Sequence, residues 1–443
     1  LGEPITQDGY ALMERAEEEH RARNLDTAAA LFAMAADAFA STGIESMVAV
    51  ALRNRAGVQF AVGDYASSVA TYREAATKAG DRQLALDCRW GEADASARLG
   101  NWSAVQEICD DILPQILDFD YGHLLGPTLL LRARAEYWTD EEAAALDSAA
   151  AAAEAFSAAG DVTRHLQAQD FRLTVLLFLD HNAEAVALAR DLYRASRSLA
   201  DPLAEPYQHQ RLGEALLQNG QLADAATAFA AARDALRAIE RPARSALAHA
   251  WLGRTYRIAG DDRAIECLRE AAAALSAAGP RFAGDASAVR RELADALFAA
   301  DRFAEAIEVY SAALAHRSHV PSVERVVTAL VREDRIAEID PFLTGLATDD
   351  PRLQAVVRAG RCWARWLSDD EAADEAAALL EDPQLGTTDL AQAWVMEMVG
   401  RHRQSLPHLA RAMYLYDAGL DLQRSAVVGE QLLALTDHLL PAR

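Results

Sequence analysis

Lys78 is the only lysine in a chain that carries 42 arginines. It stands outside any GKS or GKT sequence, so a phosphate-cradling P-loop is excluded. A Schiff-base or kinase-type lysine would have to be this one residue. The sequence also lacks HExxH, GxSxG and GxGxxG patterns. His316 and His319 have the i, i+3 spacing that lets two imidazoles share a metal, but no neighbouring Cys or carboxylate completes a site. His402 and His408 flank Pro407 and read as surface residues. Cys88, Cys109, Cys267 and Cys362 are far apart and form no CxxC pair. They read as reduced thiols in helix interiors, which fits a reducing, cytoplasmic compartment. Trp363 and Trp366 beside Cys362 have helical spacing and read as core. Glu17-Glu18-Glu19 and Glu141-Glu142 follow ordinary helix-surface placement. No catalytic constellation, cofactor or metal is therefore expected.

Charge narrows the partners. The formal net charge is −24, a field that repels phosphate backbones, so no nucleic-acid partner is expected. Leu1 to Tyr10 has no basic segment followed by an apolar run, and the most apolar stretch, Leu173 to Leu179, is too short to cross a bilayer. No membrane partner is expected either.

The elements that would position any working surface are legible in the breaks. Short polar turns recur at Arg23-Asn24, Gly63-Asp64, Gly100-Asn101, Thr139-Asp140, Asp180-His181, Gly220-Gln221, Gly260-Asp261 and Ala300-Asp301, about 40 residues apart. A second series at Gly43, Gly80, Gly122, Gly160, Asp201-Pro202, Arg241-Pro242 and Gly279-Pro280 lies between them. Gly ends helices in a left-handed cap and Pro cannot continue one. The two series cut an Ala-rich chain (99 alanines) into helices of about 15–18 residues. No stretch alternates with period two, so no sheet is expected. A large residue follows several turns, at Phe32, Tyr72, Phe229 and Tyr310. Small residues stand four before it (Ala28, Ser68, Ala225, Ala306) and three after it (Ala35, Ala75, Ala232, Ala313). A further small residue precedes the turn, at Ala16, Ala56, Ala93, Gly213 and Gly253. Small positions let helix backbones approach, and the ring fills the gap between neighbours.

On these residues the chain resembles the tetratricopeptide repeats. The best matches are His209 to Gly220 with Ala225, Phe229 and Ala232, and Ala250 to Asp261. The period of about 40 is similar to the long repeats of kinesin light chains and of bacterial sensor and regulator proteins. The resemblance implies an all-α, right-handed superhelical solenoid of antiparallel helix pairs over residues 1–318, about eight hairpins. Residues 319–443 then form irregular helical repeats, with a hairpin turning at Gly400-Arg401 and a capping helix from Leu422 to Leu440. The acidic run Asp369-Asp370-Glu371 reads as a solvated helix face that opens at Ser368-Asp369.

The resemblance also implies that the first helix of each hairpin lines a concave groove. The residues so placed include Arg53, Trp90, Asp94, Arg98 and Asp170, then Gln210, Glu214, Arg254, Arg257, Arg291 and Asp295. Arg254, Arg257 and Arg291 would form a positive wall on an acidic chain and favour an acidic segment of a partner. Four of the five asparagines sit at or beside turns, which argues against capture of an extended peptide backbone and for docking of a folded surface or helix. The expected function is a non-catalytic protein-binding scaffold. The alternatives are a sensor or regulatory repeat region of a transcriptional regulator or signalling protein, and an enzyme using the C-terminal helices.

Overall fold

The computed structural model describes residues 3–439 except 120, 200, 347–348, 370–371, 386–388 and 419–420. Helix takes 84% of the chain, against about one third in an average globular protein, and among the described residues there is no strand. The all-α solenoid expected from the breaks is the observed architecture. Contacts divide the chain into two units, Leu1–Leu199 and Ala200–Arg443.

The first unit holds five hairpins. They pair α1 (Glu3–Arg21) with α2 (Leu25–Thr42), α3 (Glu45–Val62) with α4 (Tyr65–Lys78), and α5 (Arg82–Arg98) with α6 (Trp102–Asp118). The last two pair α7 (Gly122–Trp138) with α8 (Glu142–Ala158) and α9 (Val162–Phe178) with α10 (Asn182–Ser196). Each helix packs mainly on its neighbours in sequence, as a hairpin solenoid requires.

The second unit continues the pattern with α11 (Ala204–Gln218) and α12 (Leu222–Ala238), α13 (Pro242–Ile258) and α14 (Arg263–Ala277), and α15 (Ala283–Ala299) and α16 (Phe303–Leu314). There follow α17 (Val320–Arg332), α18 (Ile339–Thr344), α19 (Pro351–Asp369), α20 (Ala373–Leu379), α21 (Asp389–His402), α22 (Leu406–Ala418) and α23 (Leu422–Leu439).

The eight recurring turns are built the same way. One residue takes left-handed φ: Arg23, Gly63, Gly100, Asp140, Asp180, Gly220, Gly260 and Asp301, with φ from 54° to 92°. The next amide donates back to the carbonyl five residues earlier, as in Asp64 N to Gln59 O at 2.9 Å and Gln221 N to Leu216 O at 2.9 Å. This is the Schellman closure, which satisfies carbonyls the helix leaves orphaned. Gly suits the position because a Cβ there meets the carbonyl, and Asp is among the few alternatives.

Packing follows the small–large–small order. Phe32, Phe229 and Tyr310 are buried, and so are the flanking alanines at 28, 35, 225, 232, 306 and 313. A Cβ on Gly213 would stand 2.7 Å from the Phe229 ring, so the two backbones approach as closely as they do because that position has no side chain. Burying each such ring contributes about 1.5–3 kcal/mol. Tyr72 is the exception and is only partly buried.

The change of rhythm past residue 318 falls inside the second unit, where one hydrophobic cluster runs from Ala246 to Val428. Asp334 repeats the left-handed turn, and Arg335 N donates to Leu330 O at 2.8 Å. The second arm is then only the short α18. Two local expectations are corrected. The late hairpin turns at Arg403 and Gln404, not at Gly400-Arg401: α21 runs through Gly400, Gln404 is the left-handed residue, and Ser405 N donates to Gly400 O at 2.9 Å. Ser368-Asp369 ends α19 instead of opening a helix. Asp370 and Glu371 of the acidic run lie outside the described residues, as does Leu440. Trp363 is core, as expected, and stacks on Trp394 with ring centroids 4.9 Å apart.

Candidate functional site

Counting back from the left-handed turn residue gives a register for the first helix of each hairpin. Six residues before it stand Arg254 and Asp295; nine before the next one stand Glu292 and Arg325. These meet between neighbouring hairpins. Arg254 Nε donates to Glu292 at 3.0 Å, and its guanidinium lies 4.2 Å from the Trp251 ring centroid. Arg325 and the Tyr310 hydroxyl both donate to Asp295. The second unit thus has charged rungs that tie successive hairpins, with guanidinium–carboxylate pairing and aromatic stacking in one place.

Between the second and third hairpins the same register gives Gly57 and Gly91. Neither position carries a side chain; the Tyr72 ring takes the place of a Cβ at Gly91, and a cleft of about 620 Å³ opens beside Gly57. That volume is in the range of about 300–1,000 Å³ for ligand sites. Its walls come from α1, α3, α5 and α7, and Phe32 and Tyr72 reach it from α2 and α4. Tyr72 lies along the gap: a Cβ on Gly91 would stand 2.6 Å from its ring, and a Cβ on Gly57 3.5 Å from its hydroxyl. Burial, with Cys88 beside it, raises the Tyr72 pKa above the usual phenol value.

Polar groups line the walls unevenly. Asp87 accepts from the Tyr121 hydroxyl at 3.4 Å and lies 3.6 Å from Arg53 and 3.7 Å from His123. Arg53 also donates to Asn54 Oδ1 at 3.1 Å. Glu17 has no ion-pair partner among the described residues. The Trp90 indole N–H is buried and meets no acceptor there.

Of the groove residues expected from sequence, Arg53 and Trp90 meet in this cleft. Asp94 and Arg98 follow on the same helix. Burial raises the Asp94 pKa while Arg98 and Arg134 oppose the shift, and Arg98 is exposed with its guanidinium 5.5 Å from the Phe60 ring centroid. Asp170 is half-buried on α9.

The others belong to the second unit. Gln210 donates to Glu214 at 3.0 Å, and Arg211 donates to the same carboxylate at 2.7 Å. Arg291 donates to Ser287 Oγ at 3.2 Å, and Arg257 is half-buried without an ion pair among the described residues. The positive wall of Arg254, Arg257 and Arg291 is therefore reduced, because Glu292 neutralises Arg254.

Asn54, Gly57, Tyr72, Asp87, Gly91 and His123 were not among the expected groove residues. The available signal was Asn54, the one asparagine away from a turn.

A second cleft, of about 660 Å³, lies in the C-terminal helices beside Arg358, Arg361 and Arg365. Each arginine there has its own carboxylate, Asp382, Asp340 and Glu375 respectively. Among the described residues no group of three or more His, Cys, Asp or Glu is arranged to hold a metal, and no helix is long and apolar enough to cross a membrane.

The turn closures, the repeating small–large–small core and the rungs define an all-α helical-hairpin solenoid. No family model and no curated protein matches the sequence. Several solved structures are similar in fold. A tetratricopeptide repeat protein from Parabacteroides merdae shares 13% identity over 60% of this chain and 92% of that one, with a TM-score of 0.44. A Rap protein in complex with competence and sporulation factor shares 11% identity over 96% of this chain and 99% of that one, with a TM-score of 0.38. A signal-transduction ATPase with a tetratricopeptide repeat sensor, from Pyrococcus horikoshii, shares 12% identity over 95% of this chain and 55% of that one, with a TM-score of 0.47. Likeness at this level carries no argument about function.

Proposed function

We propose that the protein is a non-catalytic protein-binding scaffold that holds its partner on the first helices of its N-terminal hairpins, in the cleft at Gly57 and Gly91. One observation carries the reading. At the register where Arg254–Glu292 and Asp295–Arg325 close charged rungs, the junction of the second and third hairpins has two glycines, and a cleft lined by Trp90 and Tyr72 opens there. For this cleft the partner segment is read as basic, in keeping with the −24 charge of the chain; the acidic segment expected from Arg254, Arg257 and Arg291 belongs to the other groove. Four unpaired cysteines suit a reducing compartment.

The test is co-purification from the source cells with wild-type protein and with Trp90→Ala, each checked for an unchanged helical spectrum. A partner held by wild type and lost from Trp90→Ala supports the reading. A partner held equally by both moves the binding surface away from this cleft.

A further inference from the structure

The vacant rung has a chemical complement that the protein itself displays. In the second unit the space between hairpins is filled by Arg254, which lies over an indole and pairs with a carboxylate. The first unit keeps the surroundings of such a group and lacks the group. Trp90 and Tyr72 supply ring surface, and Glu17 and Asp87 supply carboxylates. Arg53 does not fill the place, because it is held by Asp87 and Asn54. That pair is neutral as a unit, though the Arg53 side chain is 40% exposed, and the exposed Glu17 at the rim of the cleft is left as the carboxylate without an ion pair among the described residues. Ring faces and a free carboxylate together select a cation. A chain of net charge −24 draws such a segment in.

Resting on the binding role proposed for this cleft, we propose that it takes an arginine side chain from a basic segment of the partner, which completes the missing rung between the second and third hairpins. The guanidinium stands over the rings and within reach of Glu17. Its flanking backbone runs along the first helices.

The Trp90 indole N–H gives a direct readout. Its cross-peak in a transverse-relaxation-optimised nitrogen–proton spectrum of the full chain is assigned by its absence in Trp90→Phe. The probes are N-acetyl-arginine amide, its neutral isostere N-acetyl-citrulline amide, and N-acetyl-glutamate amide. The expected result is a saturable shift with the arginine probe and none with the other two. Gly57→Leu fills the gap from a position where a Cβ meets only the Tyr72 hydroxyl, at 3.5 Å. It should abolish the shift and leave the six other indole peaks in place. Glu17→Gln should weaken the arginine probe about two- to fivefold, the scale of a partly exposed ion pair. A shift with the glutamate probe but not with arginine overturns the arginine assignment and leaves the cleft as a binding site. No shift with any probe overturns both.

Discussion

Glu397 offers the sharpest test of how the C-terminal helices hold together. It lies seven residues before the left-handed Gln404, where earlier hairpins carry Ala16, Ala56, Ala93, Gly213 and Gly253. A full carboxylate is buried in a place built for a small side chain, at 0% exposure. It accepts from the Tyr416 hydroxyl at 2.6 Å and from Arg424 at 2.6 and 2.8 Å, and Arg401 lies at 2.6 Å. The Arg401 and Arg424 side chains are only 30% and 18% exposed. Glu397→Ala leaves both guanidinium groups without their counter-charge, which for a buried pair costs about 3–5 kcal/mol. At about 1.4 kcal/mol per tenfold, local opening becomes about a hundred to several thousand times more frequent. Hydrogen–deuterium exchange of α21 to α23 should show that loss of protection, while α1 to α10, in the other unit, exchange as before. A loss under about fivefold, or one spread evenly over both units, would refute the view that this carboxylate ties the last three helices together.

Other consequences are testable in the same way. Gly213→Val drives a branched side chain into the Phe229 ring and should cost about 1–3 kcal/mol in urea unfolding. Arg254→Ala, combined with Glu292→Ala in a double-mutant cycle, should give a coupling of about 0.5–3 kcal/mol in thermal or urea unfolding; zero coupling would mean that the rung is not formed. Burial pushes the Cys88 and Cys109 thiols up to about 12 and Cys362 up to about 11, and raises Cys267 as well; Cys267 is the one of the four that is half-buried instead of buried, so it should react first with a thiol reagent at pH 8 before denaturation, and all four after it. Asp261, lowered to about 2 by hydrogen bonds from the Arg263 side chain and amide, contributes stability that is complete above the ordinary carboxylate pKa and is lost as pH falls through about 2; a carboxyl carbon titration near 4 would contradict this.

The hairpins were legible because their turns are local. A left-handed residue and a five-residue closure need only the chain within one turn, and Gly or Asp at that place is visible in sequence. Gly400 misled for the same reason. It looks like a turn residue, yet it is a helix-interior position against Leu409, where a Cβ would stand 2.8 Å away. The rungs were not legible. Arg254 and Glu292 are 38 residues apart and Asp295 and Arg325 are 30 apart. Their pairing depends on how one hairpin is set against the next. Read singly, Arg254 is a free cation on a groove; read with its partner, it is part of the scaffold.

That distinction changes what counts as a functional residue in a solenoid of this kind. A charged side chain on the first helix of a hairpin is a candidate for binding only if the next hairpin does not already neutralise it. By that criterion Arg254 and Asp295 hold the second unit together. On the proposed reading, the recognition positions are those where the rung is not closed: Gly57 and Gly91, beside the cleft lined by Tyr72, Trp90 and Glu17. Glycine there has a use different from its use in the turns. In the turns it permits a backbone angle, whereas at 57 and 91, inside α3 and α5, it removes a side chain. Helix-interior glycine costs about 1 kcal/mol relative to alanine. Two of them at consecutive rung positions are a stability cost that packing explains at Gly91, where the Tyr72 ring occupies the place of a Cβ. It does not explain Gly57, where a Cβ would make only ordinary contact. Gly57→Ala should therefore stabilise the first unit by up to about 1 kcal/mol. If it also weakens partner binding, the cleft, and not the fold, is what that glycine serves.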